Sequence, residues 1–242
     1  MDKTKYANKV FIYVTPVISN TGISRLREHF EYLNDIGGIE VVAGDLGTLN
    51  LLQNYKRLRP RLGRPRVYIP ARSPWSQITK MPNVSALDLQ KVEKIFYQTS
   101  LNYRESLEFF KTYNVEGADV DWIPQCFPYF DKIIERGFKL AVHTSAIPVA
   151  VTGRCHTARF LDEKKPEFCT RPCLRRVFTI SQRELAVSFA LSGNVVFRLV
   201  QPQEEEIRMI HGTRVDELIL HMDSISKLMT SDDVNKARAV FR

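Results

Sequence analysis

Apolar residues along the chain fall into short β-branched or aromatic runs, and the runs are separated by segments of helical period. Residues 9–14 (KVFIYV), Ile39–Ala43 (IEVVA), residues 66–69 (RVYI) and residues 138–142 (FKLAV) read as buried strands. Residues 118–123, 195–200 and 217–221 carry a weaker strand signal, the last also readable as helix. Between them, Ile23–Ile36 sets Ile23, Leu26, Phe30, Leu33 and Ile36 on one helix face, opening after Asn20-Thr21 and closing at Gly37-Gly38. Residues 181–184 (SQRE) have capping-box spacing and lead into Leu185 and Phe189, four apart, with Gly193 as the stop. Residues 101–113 and 127–136 complete the helices, the second ended by Gly137.

Strand and helix alternating in this way predict βαβ units and a parallel sheet buried on both faces. The expected class is therefore α/β, with a (β/α) barrel-like parallel sheet. About seven strands fall short of the eight in a complete barrel of roughly 250 residues. An incomplete TIM barrel lacking its first strands is the expectation, the missing ones lying before Lys9. With no linker-like composition and no internal repeat, residues 1–242 read as one β/α-barrel-like domain.

Composition changes this picture little. The chain has 242 residues, 44% of them hydrophobic, enough for a substantial core. No apolar run reaches the roughly 18–20 residues of a membrane span, and the first residues carry no signal-peptide pattern. The expectation is a cytoplasmic protein without a membrane span. Thirty-five Lys and Arg against 27 Asp and Glu leave a formal charge of +8, which favours anionic partners such as RNA, acidic headgroups or charged metabolites. Residues 57–66 (RLRPRLGRPR) hold five arginines and read as a solvated connector.

The chemistry concentrates in four cysteines: Cys126, Cys155, Cys169 and Cys173. A reducing compartment disfavours structural disulfides, so they are buried bystanders, reactive thiols or metal ligands. Thirteen residues separate Cys155 from Cys169, and three separate Cys169 from Cys173. The exposed-looking stretch Asp162-Glu-Lys-Lys-Pro166 between them makes a long loop that a metal centre would order. Cys126 follows the strand candidate at 118–123, as the cluster follows the one at 138–142. Both positions lie beyond strand C-termini, the face where parallel α/β proteins build sites. Four thiolates suit tetrahedral zinc or an iron–sulfur cluster, and spacing does not separate the two. Arg154, Arg159, Arg171, Arg175 and Arg176 flank the thiols and would favour their ionised forms. His143 stands at the end of its strand as a candidate substrate ligand or proton donor, and His156 beside Cys155 is an alternative ligand.

Residues 143–159 (HTSAIPVAVTGRCHTAR) make a family resemblance specific. A strand ending in His, a Pro-hydrophobic-Ala turn, Arg-Cys-x-Thr-Ala-Arg, a Lys- and Asp/Glu-rich loop and Cys-x3-Cys follow in order through Cys173. This arrangement resembles the collagenase-like peptidase family that includes the oxygen-independent hydroxylation proteins UbiU and UbiV, nearest the UbiV-like members. Gly44-Asp-Leu-Gly-Thr-Leu-Asn50 resembles that family's turn opening a helix, and Leu101-Asn-Tyr103 its Leu-Asn segment. The likeness runs over about residues 9–200. Two departures stand out: the thirteen-residue gap is one off the UbiV-like spacing, and residues 73–98 are extra sequence.

The resemblance implies a 4Fe-4S cluster in preference to zinc, with Cys155, Cys169 and Cys173 as ligands. Cys126 is the fourth by its placement, because the family's own fourth ligand comes from an N-terminal region without a counterpart here. It further implies oxygen-independent hydroxylation of a quinone precursor, as in ubiquinone biosynthesis, or of RNA. Arg154 and Arg159 would bind an anionic substrate, and a homologous partner chain or a second copy would complete the barrel. Two other classes stay open: a peptidase, as the family name suggests, and a non-catalytic RNA-binding or scaffold subunit.

Overall fold

The computed structural model describes residues 10–73, 85–152, 155–161, 170, 173, 177–181, 188–221, 235 and 239, and within residues 10–221 the described part contains ten strands and seven α-helices. The order is β1 (Ile12–Val14), α1 (Ile23–Ile36), β2 (Ile39–Ala43), α2 (Leu46–Leu52), β3 (Leu58–Leu62), α3 (Ala86–Tyr97), α4 (Arg104–Lys111), β4 (Gly117–Asp121), α5 (Phe127–Ile134) and β5 (Lys139–His143). Then come β6 (Ala146–Val151), α6 (His156–Phe160), β7 (Phe178–Ile180), β8 (Phe189–Ser192), β9 (Val195–Leu199), α7 (Glu204–His211) and β10 (Glu217–Ile219).

Six strands form a sheet in the order β1-β2-β3-β4-β5-β10, and the pairs β1–β2, β2–β3, β3–β4 and β5–β10 run parallel. Lys139 N donating to Glu116 O and Trp122 N donating to His143 O continue the same sense from β4 to β5. Sequential parallel neighbours joined by helices are the topology of an incomplete (β/α) barrel, as expected. The other four strands make an antiparallel sheet, β6-β9-β8-β7, which the alternating pattern did not predict.

The chain divides into two compact units, Met1–Tyr68 with Ser100–Val120 and Lys132–Leu140, and Ile69–Thr99 with Asp121–Asp131 and Ala141–Arg242. In the first unit, α1 buries Leu26, Phe30 and Leu33, three of the five residues on its predicted face, while Ile36 at its end stays exposed. Gly37, at φ +73, reverses the chain there. Arg57 then reaches back, donating from Nη1 to Asp35 O (2.8 Å) and from Nη2 to Ile36 O (3.2 Å), so a cation satisfies the open carbonyls of the helix end.

The basic stretch is corrected by β3. Residues 58–62 (LRPRL) are a strand between β2 and β4 with Leu58, Pro60, Arg61 and Leu62 buried, and the strand expected at 66–69 is not formed. Arg61 is 5% exposed and is neutralised from both flanking strands: Nη1 lies 2.6 Å from Glu40 Oε1 and Nε 2.6 Å from Asp119 Oδ1. The second approach is a charge contact without hydrogen-bond alignment. Pro60 has no N–H to give, and the β3–β4 ladder begins only at Arg61.

In the second unit, β8 and β9 form a hairpin in which Ser192 pairs with Val195 across Gly193-Asn194. Gly193, at φ +64, takes the first central position of this two-residue turn, where a type II′ hairpin needs glycine. The helix expected over 181–193 is therefore overturned at 189–192, while residues 182–187 lie outside the described part. Among the described residues no helix is long and apolar enough to cross a membrane.

Candidate functional site

Parallel strands end together, and in the second unit their C-terminal ends gather the ionisable groups. Asp121 closes β4 and His143 closes β5; the Trp122 N to His143 O bond (3.1 Å) sets these two ends side by side. His143 is 7% exposed, and its Nδ1 lies 2.6 Å from Nε2 of His221, two residues beyond β10. The ring centroids are 4.8 Å apart and the planes tilted by 35°. One imidazole donates and the other accepts, so this contact requires at least one ring to be neutral. Thr144 fastens the same strand end, its N (3.1 Å) and Oγ1 (3.0 Å) both donating to Ile219 O.

Asp121 is fully buried, and Arg72 meets it with Nε 2.5 Å from Oδ2. Arg72 ends the single 3-10 turn Pro70–Arg72, where proline sets the turn. Arg198, half-buried on β9, donates from Nη2 to Ala71 O at 3.5 Å. Burial lowers the Arg198 pKa, and Asp121, then Cys126 and Tyr97, oppose that shift. Cys126 shares this neighbourhood. It is fully buried, and its thiol is pushed up to about 12, first by burial and then by the Asp121 charge, against the pull of Arg198 and Arg72. Burial likewise raises the Tyr97 hydroxyl. Trp122, also fully buried, donates from Nε1 to Glu206 Oε2 (2.9 Å), and the same oxygen accepts from Gln203 N (3.0 Å). One carboxylate thus caps α7 and ties it to the end of β4.

The segments carrying two other cysteines reach the tip of the β8–β9 hairpin. Cys155 is the N-cap of α6, its Sγ accepting from Ala158 N at 3.4 Å. Two residues on, Thr157 N donates to Gly193 O (3.1 Å). From the other side, Cys173 O accepts from Ser192 Oγ (3.3 Å), and Cys173 Sγ lies 3.8 Å from where a Cβ on Gly193 would stand. Both thiols are free and half-buried. A single glycine turn therefore binds Cys173 and, through Thr157, the turn that Cys155 caps, although eighteen positions separate the two cysteines in sequence.

Of the residues singled out from sequence, Cys173 and the helix turn capped by Cys155 both contact this turn, and His143 is at the strand end where it was expected. Cys126 is fully buried, within electrostatic reach of Asp121, Arg198, Arg72 and Tyr97. Arg159 is exposed on α6, next to half-buried His156 on its preceding turn. Cys169 and Arg154 lie outside the described residues, as do Arg171, Arg175 and Arg176. Among the described residues no group of three or more His, Cys, Asp or Glu side chains is placed to hold a metal ion, a set from which Cys169 is excluded. Sequence reasoning missed His221, Asp121, Arg72 and Arg198. Only His221 had a readable signal, as the last residue of the strand candidate 217–221.

Compared with protein families, curated proteins and solved structures, this chain matches none.

Proposed function

We propose that this chain is an iron–sulfur protein of the collagenase-like peptidase type, acting in oxygen-independent hydroxylation of a quinone precursor or of RNA. The observation that carries the reading is the convergence of Cys155 and Cys173 on the Gly193 turn, both as free thiols, with Cys169 three residues before Cys173 in sequence. Soft thiolate donors of this kind suit a 4Fe-4S cluster or zinc, and the motif resemblance favours the cluster. Cys155, Cys169 and Cys173 would hold it. Cys126 joins as a fourth ligand only by ionising where burial and Asp121 oppose a thiolate, so the reading rests on the other three.

When bound, such a cluster supplies electron transfer or Lewis acidity. The chain's own residues do the rest. The His143–His221 pair holds a transferable proton at the end of β5, and Arg159 and Arg154 provide positive charge beside the cysteine segment for an anionic substrate. A homologous chain or a second copy is the partner in this reading. Val10, Phe11, Val14 and Val17 are exposed apolar side chains along and beside β1, which stands at one end of the strand order. A cytoplasmic setting, which keeps thiols available as ligands, belongs to this reading.

Anaerobic purification tests the reading. A brown protein with broad visible absorption, its colour lost in Cys173→Ala, is the expected result. A colourless protein carrying stoichiometric zinc overturns it in favour of a structural zinc site.

A further inference from the structure

At the N-terminal ends of β3 and β4 the first unit carries an open cavity of about 210 Å³. Its apolar lining is Leu52, where α2 ends, and Leu58 and Pro60, where β3 begins, all three buried. The connections after α2 and α4 are braced against each other at its wall. Gln53 Nε2 donates to Tyr113 O (2.8 Å), and Asn114 Nδ2 donates to Gln53 Oε1 (3.2 Å). Asn114 stands at φ +55, a left-handed conformation that glycine takes at less cost, but glycine could not supply the amide that holds Gln53.

Three charged side chains line the same cavity: Lys56, Arg59 and Glu116. All three are exposed, so a solute reaches them. Opposite charges share this small space, yet among the described residues neither Lys56 nor Glu116 makes an ion pair or hydrogen bond through its side chain. Arg59 spends only Nη2, on Gly38 O at 3.2 Å, which anchors the guanidinium and leaves its other N–H groups for a ligand. Two cations and one carboxylate therefore surround room for roughly seven water molecules. That volume lies below the roughly 300–1,000 Å³ of sites for drug-sized molecules, so the occupant is a small metabolite.

We propose that this cavity binds a free acidic amino acid, with its ammonium on Glu116 and its two carboxylates on Lys56 and Arg59. The ligand's one positive and two negative groups complement the lining charge for charge, and its short methylene stem suits the apolar surface of Leu52, Leu58 and Pro60. A residue inside a peptide has lost its free ammonium and α-carboxylate, so the source is the free amino acid. Parallel α/β proteins place their chemistry at the C-terminal ends of the strands, and this cavity is at the opposite ends of β3 and β4. It is a binding site, independent of the cysteine reading.

The test is titration of L-glutamate into the full chain by calorimetry and thermal shift, at constant low ionic strength because exposed charges are screened by salt. Glutarate, which lacks the ammonium, and L-glutamine, which lacks one carboxylate, are the comparisons. The wild type should bind glutamate saturably and each comparison about tenfold more weakly, the loss of one charge-assisted contact. Glu116→Gln should bind glutamate and glutarate alike, and Lys56→Gln should bind glutamate no better than glutamine. Both positions are exposed, so both variants should keep the wild-type circular dichroism spectrum and melting temperature. No saturable glutamate binding, either comparison binding as tightly as glutamate, or wild-type selectivity in either variant would overturn the proposal.

Discussion

Arg61 offers the sharpest test of the fold, because a solvated connector and a buried strand give opposite outcomes. Replacing it with methionine keeps the length of the side chain and removes the charge. Asp119, whose side chain is 6% exposed, and Glu40, at 19%, then lose the cation that both contact at 2.6 Å. Removing one partner of a buried ion pair costs about 3–5 kcal/mol, because the remaining charge is stranded in low dielectric. For a chain of 242 residues, each kcal/mol corresponds to roughly 2–4 °C, so Arg61→Met should lower Tm by roughly 6–20 °C. Adding Asp119→Asn should recover part of the loss, a coupling that a double-mutant cycle isolates. Urea denaturation followed by circular dichroism measures all four chains of the cycle, wild type, Arg61→Met, Asp119→Asn and the double variant, with an unchanged m-value showing that the effect is on stability. A loss within about 0.5 kcal/mol for Arg61→Met, the range of an ordinary surface change, would refute the buried strand.

Cys126 should resist thiol reagents at pH 8 in the native protein, so Cys126→Ala should leave the number of rapidly reacting thiols unchanged; one fewer reactive thiol would contradict its burial. Its folded pKa is raised, so its contribution to stability is complete below the ordinary thiol range and is lost as pH rises toward about 12. Wild type should therefore lose up to about 4 kcal/mol more than Cys126→Ala between pH 9 and 12, and parallel alkaline urea-melt profiles would count against that shift. Gly193→Ala and Gly137→Ala both force alanine to positive φ, +64 and +86, and each should cost about 1–2 kcal/mol in backbone strain. Only Gly193→Ala should also reduce iron content, since Thr157 N and Cys173 gather at that turn; equal iron in the two variants would separate the turn from the metal.

Elements whose local pattern and burial agree were legible from sequence alone. The bounds of α1 and β2 coincide with the reading because period and terminators pointed the same way. The expected strand at 138–142 is β5, shifted by one residue. β3 was hidden because two-fifths of its residues are arginine and one is proline; only the carboxylates of β2 and β4, far away in sequence, make Arg61 a core residue. β8 was hidden because a capping-box spacing upstream and a glycine downstream mimic a helix, while the glycine closes a hairpin. α7 was overlooked although Gln203 and Glu206 have readable cap spacing. At the site, clustered cysteines marked Cys155 and Cys173, and a strand-end histidine marked His143. Arg72, Asp121 and Arg198 come from three distant segments, none with a motif of its own, so only tertiary structure assembles them.

Iron and acid-labile sulfide measured on anaerobically purified protein test the central claim most directly. The account predicts equal iron and sulfide in the wild type and in Cys126→Ala, with both lost in Cys155→Ser, Cys169→Ser and Cys173→Ser. Stoichiometric zinc without sulfide, or iron unaffected by removal of Cys155 and Cys173, would contradict it.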